Sequence, residues 1–449
     1  MLSAPGILEA AGLPEEEVAA WQSVELSRSF EADWRATGEF LKAGAALLAR
    51  LPARPARDER ESAAAQAIGS ALTSARERFL AIHAEAVYDE LTRSGPLRDE
   101  ALVQAAAERF PSLTPDRAEL AAELERPLAE KEGLELAQGI LLAHVLGLPR
   151  AGRELIDAML RPTPEALDRL DDFRASGSVD MGPVHLESRG RAGVLELRNP
   201  RHLNAEDDTT LPACEIAVDL VLLDPEIELG VLRGGVVDHP RYAGRRIFGA
   251  GLNLTRLYRG RLPFMFFVTR DLGFVNKIFR GLSEPSVETL WVAAAETYAI
   301  GGACQLLHVV DHVIASRGCR LYLPARKEGI IPGASNLRLP RFVGDRLARQ
   351  AILSGLEFEA GTPPAELLCD EVVEADEVDA ALTARVDALT SSGLINAAAN
   401  RRALRIGAEP LDVFREYMAS FAREQAHCHL SPALVRNLEE HWRAHERQA

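Results

Sequence analysis

The sequence has few cysteines, and none is spaced to staple a fold or hold a metal. Cys214, Cys304, Cys319, Cys369 and Cys428 are scattered over 449 residues, odd in number and never in a Cys-x-x-Cys pair. That fits neither a disulfide framework nor a zinc module, and it suits a reducing compartment. Nowhere do eighteen uncharged apolar residues run together, and the start, MLSAPGILEAAGLPEEE, has no basic stretch ahead of an apolar core. A soluble, unexported, cytoplasmic protein without membrane contact is expected. A basic excess is missing too: 51 Lys and Arg stand against 67 Asp and Glu, a net charge of −16. Such a balance argues against a general nucleic-acid surface, because neutralising phosphates takes clustered cations. It leaves room for a local basic pocket.

What remains, 47% hydrophobic and 26% charged, is globular in composition and longer than one domain usually runs. Residues 14 to 172 are rich in Ala, Leu, Glu and Arg, with prolines at the joints between apolar-periodic runs, and predict a helical half. Phe79, Ile82, Ala86, Val87 and Leu91 follow helical spacing, so this stripe is expected to bury while Arg76, Glu85 and Glu90 stay wet. Thr114 and Thr163, each ahead of a proline, are read as helix caps. After Ala175-Ser176-Gly177 the texture changes. Short apolar runs at 193–197, 227–232, 290–295 and 312–315 alternate with helix-length segments, an α/β pattern. Beyond Ala397 the chain returns to helix, with Leu411, Phe414, Met418 and Phe421 on one face. The expected organisation is a helical N-terminal domain over 1–175, a core over 176–395, and C-terminal helices over 396–449 that make oligomer contacts.

Four motifs in the second half carry chemistry. Leu197-Arg198-Asn199-Pro200-Arg201-His202-Leu203-Asn204-Ala205 leaves a strand; Ile247-Phe248-Gly249-Ala250-Gly251-Leu252-Asn253-Leu254 and Ala299-Ile300-Gly301-Gly302-Ala303-Cys304-Gln305 are glycine-rich loops; Gly329-Ile330-Ile331-Pro332-Gly333-Ala334 is a turn. A carbonyl that becomes an oxyanion needs backbone N–H donors brought close to it, and glycine permits the approach and the dihedrals. One such loop alone is most simply a tight turn. Four in this order resemble the crotonase (enoyl-CoA hydratase/isomerase) superfamily over roughly residues 180 to 370.

The resemblance implies an α/β crotonase fold, a superhelix of ββα units, here with an all-α N-terminal domain and C-terminal helices. It also implies that the amides of Leu252 and Gly302 form an oxyanion hole for a coenzyme A thioester. Hydratases of the family carry glutamates where this chain has Gln305 and Ala325; neither residue can move a proton. Glu328, three residues further along, is read as facing elsewhere. Within the superfamily the chain most resembles the cofactor-independent dioxygenases of aryl-acetyl-CoA thioesters, through residues 203–210, the insertion 239–246, Arg270-Asp271-Leu272-Gly273, Gln305 and 328–333.

That likeness implies conversion of (3,5-dihydroxyphenyl)acetyl-CoA and O2 to the aryl glyoxylate and coenzyme A, without metal or cofactor. By the same likeness Gln305 is a polar contact near the reacting centre, Glu206 and Arg270 bind ring hydroxyls, Gly251, Asn253 and Tyr242 line the substrate, and Ile330 belongs to an oxygen pocket. Arg201, Arg241, Arg245 and Arg246 are candidates for the coenzyme phosphates, since guanidinium offers forked donors. A homotrimer or dimer of trimers is the implied assembly. His308 and His312 stand four apart but lack the glutamate of a zinc helix, so no metal site is expected. Two other readings stay open: another enolate-forming enzyme (isomerase, decarboxylase or thioesterase), or a pseudoenzyme whose helical half binds a partner.

Overall fold

The computed structural model describes residues 4–391 and 394–447. The chain divides into two compact units: Met1–Leu155, Leu257–Met265 and Met418–Val435 form one, and Ile156–Arg256, Phe266–Tyr417 and Arg436–Ala449 the other. The expected boundaries at 175 and 396 do not coincide with these. The helix Pro164–Ser176, which reads like its predecessors, belongs to the second unit, where Thr163 N donates to Asp219 at 2.7 Å and Arg174 to the Leu223 carbonyl at 2.9 Å. Composition cannot see that division, because a helix has one pattern whichever core it covers.

In the first unit the long helices Phe30–Arg50 and Glu59–Leu91 pack around Leu41, Leu47, Ile68 and Leu72. Asp58 opens the second of them with a reciprocal capping box. The stripe runs through Phe79, His83, Val87 and Leu91, whereas Ile82 is 46% exposed. A residue one step off an i, i+4 row is turned about 100° away from it. Arg76 is not wet: it donates to the carbonyls of Ser112 and Leu113 at 2.9 and 3.0 Å, and burial lowers its pKa to about 10. Thr163 caps as expected, but Thr114 binds the Val103 carbonyl, and Asp116 starts the next helix. No helix among the described residues is long and apolar enough to cross a membrane.

Among its described residues the second unit is built on ten strands: β1 (Ser178–Asp180), β2 (Val184–Arg189), β3 (Ala192–Leu197), β4 (Leu229–Gly234), β5 (Leu290–Ala295), β6 (Tyr298–Ile300), β7 (His312–Ser316), β8 (Arg320–Tyr322), β9 (Phe358–Glu359) and β10 (Glu371–Val373). Seven form one sheet in the order β1-β2-β3-β4-β5-β7-β10, antiparallel through β3 and parallel beyond; β6, β8 and β9 form a smaller one. Both faces of β4 and β5 are buried, as expected of parallel strands between helices. In register, Val194 meets Val231 and Val231 meets Val292, forming one apolar face with Ala294, Ile314, Val378 and Leu382. Helix Thr210–Leu223 lies against β2, β3 and β4. The consequence for function is positional: β3, β4 and β5 run side by side in one direction, so the segments leaving their carboxyl ends converge on one edge of the sheet.

Candidate active site

Three consecutive parallel strands deliver the site. From β3 comes the segment ending in Asn204 and Glu206; from β4, the loop with Gly251 and Leu252; from β5, the loop with Gly301 and Gly302. Asn204 staples the first two, donating at 2.8 Å to the carbonyls of Gly235 and Ile247 while its own carbonyl oxygen accepts the Asn199 N–H at 2.9 Å. It does so with φ +56°, a left-handed conformation that Asn tolerates; Leu203 beside it, at φ +54°, carries strain of about 1–2 kcal/mol. Main-chain bonds then lock the loops: Glu206 N to Gly251 O, Asn253 N to Glu206 O, Gly249 N to Tyr298 O, Ile300 N to Gly249 O, and Gly301 N to Tyr322 O, all within 2.6–3.1 Å.

After this pairing one amide in each loop matters for the site. Neither the Leu252 nor the Gly302 N–H donates a hydrogen bond among the described residues. For Gly302 the cause is local: it opens the helix Gly302–Leu306, and a first-turn amide has no carbonyl four residues behind it within the helix. Gly251 sits at φ +81°, where a Cβ would lie 2.8 Å from the Ile300 carbonyl oxygen; Gly301, at φ +53° and ψ −118°, adopts a conformation open only to glycine. The two loops are thus in main-chain contact, with an unpaired donor on each.

Beneath Gly302 lies a buried ionic network. Arg270 grips Glu206 with Nε and Nη2, donates again from Nη2 to the Gly302 carbonyl at 2.8 Å, and reaches Gln305 Oε1 at 3.0 Å and Asp271 at 3.3 Å from Nη1. All five guanidinium donors are engaged. Burial alone would discharge Arg270, but Glu206 and then Asp271 outweigh it and hold its pKa above the ordinary value. Burial raises the pKa of Asp271, against the pull of Arg270 and Arg338. Because Arg270 fixes the Gln305 carbonyl, the Gln305 amide NH2 is left as a donor without a partner among the described residues, and each Glu206 oxygen retains a lone pair.

The other expected residues divide. Asn253 is buried, and its side chain bonds Asp207 at 2.9 Å and caps Arg256 N at 3.2 Å, so it braces the loop. Tyr242 stands with its hydroxyl 3.2 Å from that of Tyr298 and its ring edge-on to it. Ile330 is half-buried. Arg246 is committed to Glu196 at 2.5 Å and to the Gly234 carbonyl at 3.1 Å. Arg201, Arg241 and Arg245 are exposed and have no carboxylate partner among the described residues. His308 and His312 do not converge: His308 is buried against Ser335 at 3.0 Å, its pKa lowered to about 3 by burial and then Arg338, while His312 lies between Asp370 and Glu371. Among the described residues no group of three or more His, Cys, Asp and Glu is placed to hold a metal ion.

Sequence reasoning missed Asp271, Asn204 and the placement of Glu328. Asp271 adjoins Arg270 in the chain, but nothing in a dipeptide says that both are buried. An Asn just after a strand signals a left-handed turn, and that clue was available for Asn204. Glu328 is treated below.

Comparison with known proteins bears on the family and the fold. The enoyl-CoA hydratase/isomerase family profile matches residues 189–420. The chain is 45% identical over 413 residues to a (3,5-dihydroxyphenyl)acetyl-CoA 1,2-dioxygenase of Amycolatopsis orientalis, spanning 90% of this chain and 94% of that protein. It is 29% identical over 202 residues to a short-chain-enoyl-CoA hydratase of Clostridium acetobutylicum, spanning 44% of this chain and 72% of the other. Among solved structures, an enoyl-CoA hydratase from Mycobacterium avium subsp. paratuberculosis K-10 aligns with a TM-score of 0.50 at 19% identity, over 58% of this chain and 98% of that one; this likeness concerns the fold alone.

Proposed function

The chain belongs to the enoyl-CoA hydratase/isomerase (crotonase) family, and from that premise we propose that it is a cofactor- and metal-independent dioxygenase of (3,5-dihydroxyphenyl)acetyl-CoA. The observation that carries this reading is the pair of unpaired amides, Leu252 and Gly302, set against the Glu206–Arg270–Gln305 network with no acid at 305 or 325. Such a site can hold an enolate, and it lacks acids at the two positions where hydratases of the family carry them. The relative named as a (3,5-dihydroxyphenyl)acetyl-CoA 1,2-dioxygenase, matched over nearly its whole length, supports the substrate class.

In this reading the substrate's CH2 lies between an aromatic ring and a thioester, so loss of one proton gives an enolate whose oxygen accepts from the Leu252 and Gly302 amides. The carbanion reduces O2 directly and bonds to it. The resulting peroxide attacks the thioester carbonyl and expels the coenzyme thiolate. Loss of the second α proton with O–O cleavage leaves the α-keto acid, so one substrate and one O2 give one aryl glyoxylate and one coenzyme A. Glu206 accepts from a ring hydroxyl and the Gln305 NH2 donates to one, while Arg270, its donors engaged, holds both in place. Ile330 contributes an apolar wall for oxygen. Arg201, Arg241 and Arg245 are left for the coenzyme phosphates. A cytoplasmic homotrimer or dimer of trimers completes the proposal.

Chelator-treated protein should consume one O2 for each coenzyme A released from (3,5-dihydroxyphenyl)acetyl-CoA. Release without oxygen uptake would make it a thioesterase, and neither binding nor turnover would leave a scaffold. The double substitution Arg241→Ala/Arg245→Ala should raise KM about tenfold, equivalent to about 1.4 kcal/mol, with kcat within twofold. The effect should shrink as ionic strength rises. An unchanged KM at low salt would remove both residues from the coenzyme site.

A further inference from the structure

We propose that Glu328 is the proton-transfer group of this site, taking the α proton of the bound thioester; the proposal rests on the enolate chemistry above. Glu328 ends the short helix Ala325–Glu328, which follows β8 directly. That segment is bolted to the second oxyanion loop: Tyr322 accepts the Gly301 N–H at 2.9 Å, and Pro324 Cδ lies 3.8 Å from where a Gly301 Cβ would be. Residues three apart share a helix face. Ala325 and Glu328 are 8% and 5% exposed, while Arg326 and Lys327 between them point to water. The expectation that Glu328 turns away from the position of Ala325 is therefore corrected: the acid missing at 325 has a counterpart one turn later on the same buried face.

Its carboxyl has no hydrogen bond or ion pair among the described residues, and burial is the one influence on its titration. The contrast with its neighbours is what gives this weight. Glu206 and Asp271 meet Arg270, Glu215 and Asp219 meet Lys277, Glu296 meets Arg233, and Glu409 meets Arg338. Buried Asp207 and Asp224, which meet no cation, are still hydrogen-bonded, to Asn253 and Thr209 and to the Glu226 N–H; a buried acid with neither kind of partner among the described residues bears a desolvation cost with no structural return, which is the mark of a functional group. Burial alone raises its pKa to about 8, and no charged group contributes. Tyr322 on β8 senses its charge, its own pKa pushed to about 12 mainly by burial; the Gln350–Ser354 turn packed against the helix carries no titratable side chain. A base with a pKa near the working pH is well matched to proton abstraction.

The step balances. The Glu328 carboxylate takes one α proton, and the C–H electrons pass into the enolate held by Leu252 and Gly302. After O2 has bonded to the α carbon and the peroxide has displaced the thiolate, the Glu328 acid returns its proton to the coenzyme sulfur. The regenerated carboxylate then takes the second α proton as the O–O bond breaks, and releases it to solvent. Four electrons leave the α carbon and O2 accepts them.

Oxygen-free incubation in D2O isolates the first transfer. Wild-type protein should exchange the CH2 protons of (3,5-dihydroxyphenyl)acetyl-CoA, followed by NMR, at a rate that rises with pH and levels above about 8. Glu328→Gln should slow exchange by at least about 100-fold, lose the pH limb, and bind the thioester within about threefold of wild type by the 1.36 kcal/mol-per-decade scale. Glu328→Asp should restore part of the rate with the limb displaced. The sign of the stability effect gives a folding control. The folded pKa, about 8, lies above the ordinary 4.5, so the burden of the buried carboxylate is absent below pH 4.5 and grows as pH rises through 8. Above pH 8, Glu328→Gln should therefore melt no lower than wild type. Exchange by Glu328→Gln at the wild-type rate overturns the proposal. Wild-type exchange without aerobic oxygen uptake overturns the dioxygenase reading and supports Glu328; no wild-type exchange overturns both.

Discussion

Arg270→Ala should lose turnover by at least about 1000-fold and unfold more easily by about 3–5 kcal/mol, because it strands the buried Glu206 carboxylate. Two guanidinium nitrogens hold Glu206, and the remaining donors hold the Gly302 carbonyl, Gln305 and Asp271. Truncation removes the cation and frees four groups that define the floor of the oxyanion loop. Lysine is no substitute, since a point charge on a flexible stem cannot make five fixed bonds. The paired substitution Arg270→Met/Glu206→Leu separates stability from function: with both charges gone it should recover most of the lost stability, as apolar replacements of buried ion pairs commonly do, and remain inactive. Denaturant titration and steady-state kinetics on the three variants decide the matter. Wild-type stability in Arg270→Ala would mean that the pair is not buried as described.

Gly302→Ala should reduce kcat about 100- to 1000-fold, equivalent to about 2.7–4 kcal/mol, while leaving the fold intact. The residue is helical, so alanine suits its backbone. The difficulty is space: the new Cβ would lie 2.7 Å from Glu206 Oε1 and 3.2 Å from Arg270 Nη2. Neither atom is the free end of a mobile chain, because each is held by the other and by the surrounding network. The loop must yield instead, and the Gly302 N–H is then no longer aimed where charge develops. Losing aim should appear in kcat more than in KM, since the donor matters most to the oxyanion. A kcat within threefold of wild type would remove Gly302 from the oxyanion hole.

Parts of this site were open to reading in the chain itself. The runs at 193–197, 290–295 and 312–315 fall on β3, β5 and β7 within a residue, since each is a short apolar segment between helix-length ones. Gly251, Gly301 and Gly302 were legible for a similar reason, because close main-chain approach leaves few other residues possible there. Helix identity was legible and helix allegiance was not: Pro164–Ser176 has the texture of the first unit and the hydrogen bonds of the second. Burial phase also slipped where one residue decided it, at Ile82.

The sequence by itself determined the family, the two glycine loops and the absence of acids at 305 and 325, because these are properties of residue type and local spacing. Tertiary structure alone decided which charges meet. Arg270 and Glu206 lie 64 residues apart, Arg270 and Gln305 35 apart; no periodicity reports such distances, which depend on three parallel strands ending on one edge. It also decided that Arg270 is fully engaged, that Asn253 braces its own loop, and that Glu328 is buried with no partner among the described residues. Whether a carboxylate is a surface charge or a base is a question of what surrounds it, and surroundings are assembled only when the chain folds.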